Sequence, residues 1–195
     1  QELQKVIPAL VNTGSDKVIR INASGHINDA GIKKVASNVF TSALQGSTDW
    51  TGNITIKKPL VELNIRSNLI GMAVQLPAPL GKSASQQIQL EIDKKQLNAH
   101  EDTMDISYDS ILAAKILRSD RSGTLAFDRG DIAINRAVEQ PSESGLAIRG
   151  KLDYIDADEW LAIINKPGSK SDKVPLTISK ADFSVQKLEI FNRKL

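Results

Sequence analysis

The alternation of apolar and polar residues between Trp50 and Lys82 constrains the fold of this chain more than any other feature. In the stretch 61–66, Val, Leu and Ile occupy every second position and polar residues stand between them. Successive side chains of a β-strand point to opposite faces, so this spacing predicts a strand with one apolar side. What covers that apolar side is therefore the main question about the chain.

The same two-residue period recurs along most of the sequence. Turn residues interrupt it at 121–123, 128–130 and 141–145, and no helical period intervenes for about 110 residues after position 46. Short strands at this spacing predict an antiparallel meander over residues 48–154. Strands are predicted at 17–24, 50–56, 61–65, 72–76, 88–92, 104–108, 111–117, 124–127, 132–135, 146–154, 176–178 and 183–190.

Two segments switch to the helical period. Apolar residues recur at i, i+3, i+4 and i+7 over 29–45, where Asn28 or Asp29 can cap the start and Gly46 the end. The second helix is predicted over 156–165, with Asp156 as its N-cap. The fold class is therefore β-rich α+β: a strand plus helix (17–46), the meander (48–154), a short helix (156–165) and the start of further strands (174–195). The meander is expected to form a curved or groove-like sheet with the two helices beside it.

Composition excludes several functions. The chain of 195 residues has no cysteine, so disulfides, thiolate metal sites and cysteine nucleophiles are absent. The net charge of +2 does not predict nucleic acid as a partner. No signal peptide or apolar run of membrane-spanning length is visible. Since a strand pattern is still running at the last residues, we expect an internal segment of a larger protein.

Catalytic and metal-binding patterns are weak. His26 and His100 each lack a second ligand at metal-site spacing, which favours turn histidines. Gly81-Lys82-Ser83 resembles the end of a phosphate-binding loop, but the first glycine is missing, since Leu76 stands in its place. The pairs Glu101-Asp102 and Asp158-Glu159 are best explained as a solvated turn and a helix N-terminus. We predict no enzyme activity, no cofactor and no metal site.

Three segments carry a distinctive pattern: W-x-G-x-I at 50–54, the run IRSNLIGMAVQLPAPLGKSA at 65–84, and GKLDYIDADEWLAII at 150–164. Together they resemble the YhdP branch of the AsmA-like family. The family has a similar Ser-Asp-Leu-x-Gly followed by L-P-x-P-L-x-K. Here Asn68 replaces the usual Asp, whereas the proline motif from Leu76 to Lys82 fits in full. The helix that carries Trp160 also fits.

The resemblance implies a bacterial envelope protein that is anchored in the inner membrane of a Gram-negative bacterium and crosses the periplasm. Such proteins look like bridge-type lipid carriers, in which repeated β-meanders form a long sheet with an apolar groove. Phospholipid acyl chains and the adjoining segments of the parent chain are the partners that it implies. No catalytic residues belong to the family, so none carry over.

Two interpretations of the apolar sheet face remain open at this point. In one, helices and a second layer cover the face, and the chain is a structural or protein-binding envelope module with no lipid site. In the other, acyl chains complete the burial, and each buried CH₂ contributes about 0.8 kcal/mol. The candidate lipid-facing residues are Val61, Leu63, Ile65, Met72, Val74, Leu76, Ile88, Leu90 and Ile92.

Overall fold

The computed structural model describes residues 7–11, 18–35, 39–120, 123–164, 177–191 and 193–194. Within them the chain forms twelve strands and three short helices. The strands are β1 Ile7–Val11, β2 Val18–Asn28, β3 Leu44–Lys57, β4 Leu60–Ser67, β5 Met72–Val74, β6 Leu90–Asn98, β7 Glu101–Tyr108, β8 Leu112–Asp120, β9 Leu125–Ile134, β10 Gly145–Asp156, β11 Ile178–Ile190 and β12 Arg193–Lys194. The helices are α1 Asp29–Val35, α2 Val39–Ser42 and α3 Ala157–Ile164.

All twelve strands belong to one open sheet, which confirms the β-rich α+β class. The order is β1-β2-β3-β4-β6-β7-β8-β9-β10-β11-β12, and β5 pairs with the beginning of β3 off this path. From β1 to β9, neighbours along the path are antiparallel and consecutive in sequence, apart from β5. The segment between β4 and β6 is thus an insertion that leaves the ladder and returns to it.

The antiparallel prediction does not hold for the last part of the range 48–154. Strand β10 is parallel to β9 and also to β11. After β9 ends at Ile134, the connection 135–144 leads the chain back, so that β10 begins beside Arg129 and runs in the same direction as β9. A parallel pair requires such a crossover. Alternation of side chains is the same in parallel and antiparallel strands, which is why the sequence pattern did not distinguish them.

Two local predictions also change. The helix predicted over 29–45 is replaced by the short helices α1 and α2, and β3 already begins at Leu44 because Leu44–Gly46 pairs with β5. The turn predicted at 128–130 lies inside a continuous β9. There the register shifts: Arg129 pairs with Leu117 and Phe127 pairs with Arg118, so Asp128 is the extra residue of a bulge.

The predicted N-terminal helix caps agree with the structure, whereas Gly46, predicted to end the first helix, lies inside β3 and pairs with Met72. Asn28 Oδ1 accepts a hydrogen bond from the amide of Gly31 at 2.8 Å, at the start of α1. Asp156 Oδ1 accepts hydrogen bonds from the amides of Asp158 and Glu159 at 2.9 and 3.1 Å, at the start of α3. Such caps pair amides that a helix leaves unsatisfied, and they fix where each helix leaves the sheet. Residues 17, 36–38, 121–122, 165, 174–176, 192 and 195, which also carried predictions, lie outside the described residues.

Candidate functional site

One face of the sheet, which we call the inner face, carries an uninterrupted apolar row across nine strands. Residues that are directly opposite on paired strands share a face, so the strand registers define this row. From β2 to β11 its members are Ala23, Gly52, Ile65, Ile92, Ile106, Ala114, Ile132, Ile148 and Ala181. With strands about 4.8 Å apart, the row is about 38 Å long.

A second row lies beside the first, displaced by two residues on each strand except β11, where a register shift makes the displacement three residues, and it is also apolar except at one position. Its members are Ile21, Ile54, Leu63, Lys94, Met104, Ile116, Gly130, Leu146 and Ile178. None of the five isoleucines of the first row is buried, although all lie in the middle of the sheet. The two rows therefore keep accessible apolar surface along the sheet.

Large aromatic side chains lie across glycines on the same face. A Cβ added at Gly25 or Gly52 would stand 3.1 Å from the ring of Trp50, and one at Gly150 would stand 2.7 Å from Phe183. Glycine at these positions gives the ring room to lie flat on the backbone. This geometry explains the W-x-G spacing of the sequence, because Trp50 covers the glycine two residues ahead of it on the same face.

The segment 68–89, which we call the proline segment, is packed at one end of the strands. Its apolar side chains Leu69, Met72, Val74 and Leu80 are all at most 8% exposed. Among them lies Lys82, which is 6% exposed and donates hydrogen bonds from Nζ to the carbonyl oxygens of Leu69, at 2.8 Å, and Met72. Burial lowers the pKa of Lys82. The lysine of the proline motif thus stabilises the turn by joining two of its backbone carbonyls.

Two hydrogen bonds attach the proline segment to the rest of the fold. Tyr108 Oη, from the end of β7, donates to the carbonyl of Leu80 at 3.0 Å. Burial raises the pKa of Tyr108 to about 12, so the phenol stays protonated and remains a donor. Trp160 Nε1, on α3, donates to the carbonyl of Ala78 at 3.3 Å. Since Tyr108 belongs to the inner face, the proline segment borders that face on this side.

The opposite end of the central strands carries charge on the inner face. Asp102 Oδ1 and Oδ2 accept hydrogen bonds from Nε and Nη2 of Arg118 at 2.7 and 2.5 Å, and Lys94 Nζ lies 3.3 Å from Oδ2. Burial alone would raise the pKa of Asp102, but the hydrogen bonds from Arg118 and Lys94 hold it below its usual value. We call these three residues the polar edge.

The outer face is polar and charged. Glu91 accepts hydrogen bonds from Asn64 and from Arg66, and these bonds lower its pKa. Under the connection 135–144, Arg149 donates from Nε and Nη2 to both oxygens of Asp131, at 2.9 and 2.5 Å. The two faces therefore differ in chemistry: the inner side is mainly apolar, and the outer side carries most of the charged side chains.

The candidate residues from the sequence divide into two groups. Five lie on the inner face: Val61, Leu63, Ile65, Leu90 and Ile92. The other four, Met72, Val74, Leu76 and Ile88, lie in the proline segment, where Met72 is 0% and Val74 8% exposed. Met72 and Val74 therefore belong to the packed border of the inner face and not to its open surface, whereas Leu76 and Ile88 are half-buried.

Sequence reasoning missed the inner-face residues of β2, of β3 and of β7 to β11, and it missed the polar edge. The alternation at Met104 and Ile106 marks one apolar side of β7, but only the registers place this side in line with Ile65 and Ile92. Lys94, Asp102 and Arg118 come from three strands and share no sequence motif. Their meeting depends on the pairing of β6, β7 and β8.

The other patterns with a possible chemical role do not form a site. Ser184-x-x-Lys187 has the spacing of a Ser-x-x-Lys nucleophile motif, but the two residues lie on opposite faces of β11. His26 Nδ1 contacts Asp49 at 2.8 Å at the surface, and His100 Nδ1 lies 3.6 Å from Asp120. Among the described residues, no three His, Asp or Glu side chains are grouped as metal ligands. None of the helices in the described part of the chain is both long and apolar enough to span a bilayer.

Comparison with known proteins gives one match. The model of a family described as YhdP protein matches residues 6–195. No curated protein and no solved structure matches the chain significantly.

Proposed function

Because the chain belongs to the YhdP family, whose model covers residues 6–195, we propose that it is a non-enzymatic, lipid-carrying segment of a periplasm-spanning envelope protein. In this proposal the inner face supports phospholipid transport between the inner and outer membranes. The parent protein is anchored in the inner membrane, and neighbouring segments of it extend the sheet at its open edges.

The observation that carries this proposal is the uninterrupted apolar row across nine strands. Its length of about 38 Å exceeds the roughly 15 Å that acyl tails span in one leaflet of a bilayer core. A soluble protein rarely keeps a large contiguous apolar surface without a ligand or partner for it. Acyl chains lying across the strands would cover the row, and at about 0.8 kcal/mol per buried CH₂ they need few specific contacts.

The difference between the two faces indicates which of them binds the acyl tails. A lipid tail on the outer face would desolvate the ion pairs of Arg66 with Glu91 and of Lys115 with Asp105. Burying such charges is costly unless each stays paired. The inner face has no such charges in its first row, so tails partition to that side alone.

The test compares two aspartates on neighbouring positions of β3. Ile54 lies on the inner face between Ile21 and Leu63, whereas Asn53 is exposed on the outer face. We expect Ile54→Asp to lower the amount of phospholipid retained after incubation with phosphatidylglycerol vesicles about tenfold, since the carboxylate must be desolvated under the tails. Asn53→Asp should retain as much lipid as the unchanged chain.

Native mass spectrometry followed by lipid extraction measures the bound lipid, and circular dichroism checks that both variants are folded. A folded protein that never retains phospholipid would contradict the proposal. It would support the alternative of a structural or protein-binding envelope module. Equal loss of lipid in both variants would contradict the assignment of the inner face.

A further inference from the structure

We propose that Lys94 and Arg118 bind the phosphate group of a phospholipid at the polar edge of the inner face. This inference rests on the proposed function and adds to it a headgroup position. The motif-bearing segments of the sequence do not include either residue, and the site depends on the strand registers alone.

The charge of the polar edge favours an anion. Two cations, Lys94 and Arg118, share the single carboxylate of Asp102, so the cluster carries one net positive charge. The side chain of Asp102 is only 1% exposed, whereas those of Lys94 and Arg118 are 36% and 28% exposed. The accessible part of the cluster is therefore cationic. Because the carboxylate is buried and the two cations are partly exposed, the surface of the cluster can bind an anion.

The polar edge is also preorganised for an anion. Asp102 holds Arg118 through Nε and Nη2 and raises the pKa of its guanidinium by hydrogen bonding. Within the described part of the chain, Nη1 of Arg118 has no partner, and Lys94 contacts only Asp102 as an ion pair. Arginine and lysine donors of this kind suit phosphate oxygens. Little side-chain entropy is lost on binding, because Arg118 is already fixed.

Lys94 lies next to the apolar rows. Lys94 is the polar member of the second row, directly opposite Leu63 and Met104. Ile92 of the first row lies two residues away on the same strand and face, at about 7 Å. A ligand that contacts both must combine an anionic group with an apolar chain at that spacing, as a phospholipid does. Inorganic phosphate would use the cations and leave the apolar rows uncovered.

The two borders of the inner face differ. The border at the proline segment is closed by buried apolar side chains and by the hydrogen bond of Tyr108 to Leu80. Among the described residues, the border at the polar edge carries the partly exposed cations Lys94 and Arg118. The carboxylate of Asp120 lies two residues beyond Arg118 and 3.6 Å from His100. A lipid would thus lie with its tails toward the proline segment and its phosphate at Lys94.

The experiment uses neighbouring lysines of β6 as a matched pair. Lys94→Gln removes the exposed cation of the inner face and leaves Asp102 paired with Arg118, so the fold is expected to persist. Lys95→Gln removes the same charge from the outer face. Each variant is incubated with vesicles of phosphatidylglycerol or with dioleoylglycerol of matching tails, and bound lipid is measured by native mass spectrometry.

We expect Lys94→Gln to weaken retention of phosphatidylglycerol about tenfold, the effect of losing one charge-assisted hydrogen bond. Retention of dioleoylglycerol, which lacks phosphate, should not change, and Lys95→Gln should behave as the unchanged chain. Lys94→Arg should restore phosphatidylglycerol retention. An excess of inorganic phosphate should not release the bound lipid.

Distinct results would overturn the inference. If Lys94→Gln lowers retention of both lipids alike, or if Lys95→Gln has the same effect, the cation does not read a phosphate. If inorganic phosphate releases the lipid at the same concentration at which it binds the lipid-free protein, the polar edge is a site for free phosphate. If the unchanged chain retains neither lipid, the proposed function fails as well. Retention of both lipids with no effect of Lys94→Gln defeats the headgroup site only.

Discussion

The ion pair under the connection 135–144 gives the sharpest stability prediction. Asp131 and Arg149 face each other across the parallel pair of β9 and β10, and their side chains are 3% and 5% exposed. Arg149 donates to both carboxylate oxygens, and the amide of Glu139 donates to Asp131 Oδ2 at 2.8 Å. The pair thus fastens the connection to the outer face of the sheet.

Replacing Arg149 with Met keeps most of the side-chain volume but leaves the carboxylate of Asp131 buried with a single described donor. Breaking a buried pair in this way costs about 3–5 kcal/mol, because the remaining charge stays unpaired. Replacing both residues, as Asp131→Leu with Arg149→Met, removes the charges together and should cost little. The coupling free energy between the two sites should therefore be about 2–4 kcal/mol.

Urea unfolding of the four proteins in this double-mutant cycle, followed by circular dichroism, gives the coupling free energy. Similar m-values across the set would show that the exposed surface on unfolding has not changed. A coupling below about 0.5 kcal/mol, the range found for independent sites, would refute the assignment of a buried pair. It would also imply that the connection is not held on the outer face.

Three further outcomes follow from the inner face and its borders. Lys82→Ala should lower the free energy of unfolding, measured by urea titration, by about 1–3 kcal/mol, since two buried carbonyls lose their donor. The control Lys95→Ala should change it by less than about 0.5 kcal/mol. Asp102 has a lowered pKa, so its stabilising effect is present above the unfolded value near 3.8 and is lost as the pH falls through the lower folded value. The stability difference between the unchanged chain and Asp102→Asn should therefore shrink in acid, and a difference that is independent of pH would contradict this. Gly52→Val should displace the ring of Trp50, whose Cζ3 lies 3.1 Å from the added Cβ, and shift its fluorescence in a Trp160→Phe background; unchanged emission would argue against the contact.

The apolar side of each strand could be predicted from sequence, because alternation depends only on the pleat. Val61, Leu63 and Ile65 on β4 and Leu90 and Ile92 on β6 lie on one face, as their parity indicates. The caps at Asn28 and Asp156 could also be predicted, since a cap is a local contact. These features need no knowledge of which strands are neighbours.

Features that depend on pairing could not be predicted. The helical period over 29–45 gave way at Leu44 because pairing with β5 outweighed local preference. Lys82 resembled a phosphate-loop lysine by its neighbours in sequence, whereas its carbonyl partners lie 10 and 13 residues away. The direction of β10 depended on the connection 135–144, which shows no regular period.

The central claim is that acyl chains lie on the first row of the inner face and not on the outer face. The chain has no cysteine, so a single introduced cysteine can be labelled uniquely. A bimane label at each site, exposed to phosphatidylglycerol with brominated tails, reports contact by quenching. The inner sites are Ile65, Ile92 and Ile106, and their outer neighbours are Asn64, Asp93 and Asp105. The account predicts strong quenching at all three inner sites and little at the outer ones, with a period of two residues. Equal quenching on both faces, or none at the inner sites of a folded protein, would contradict it.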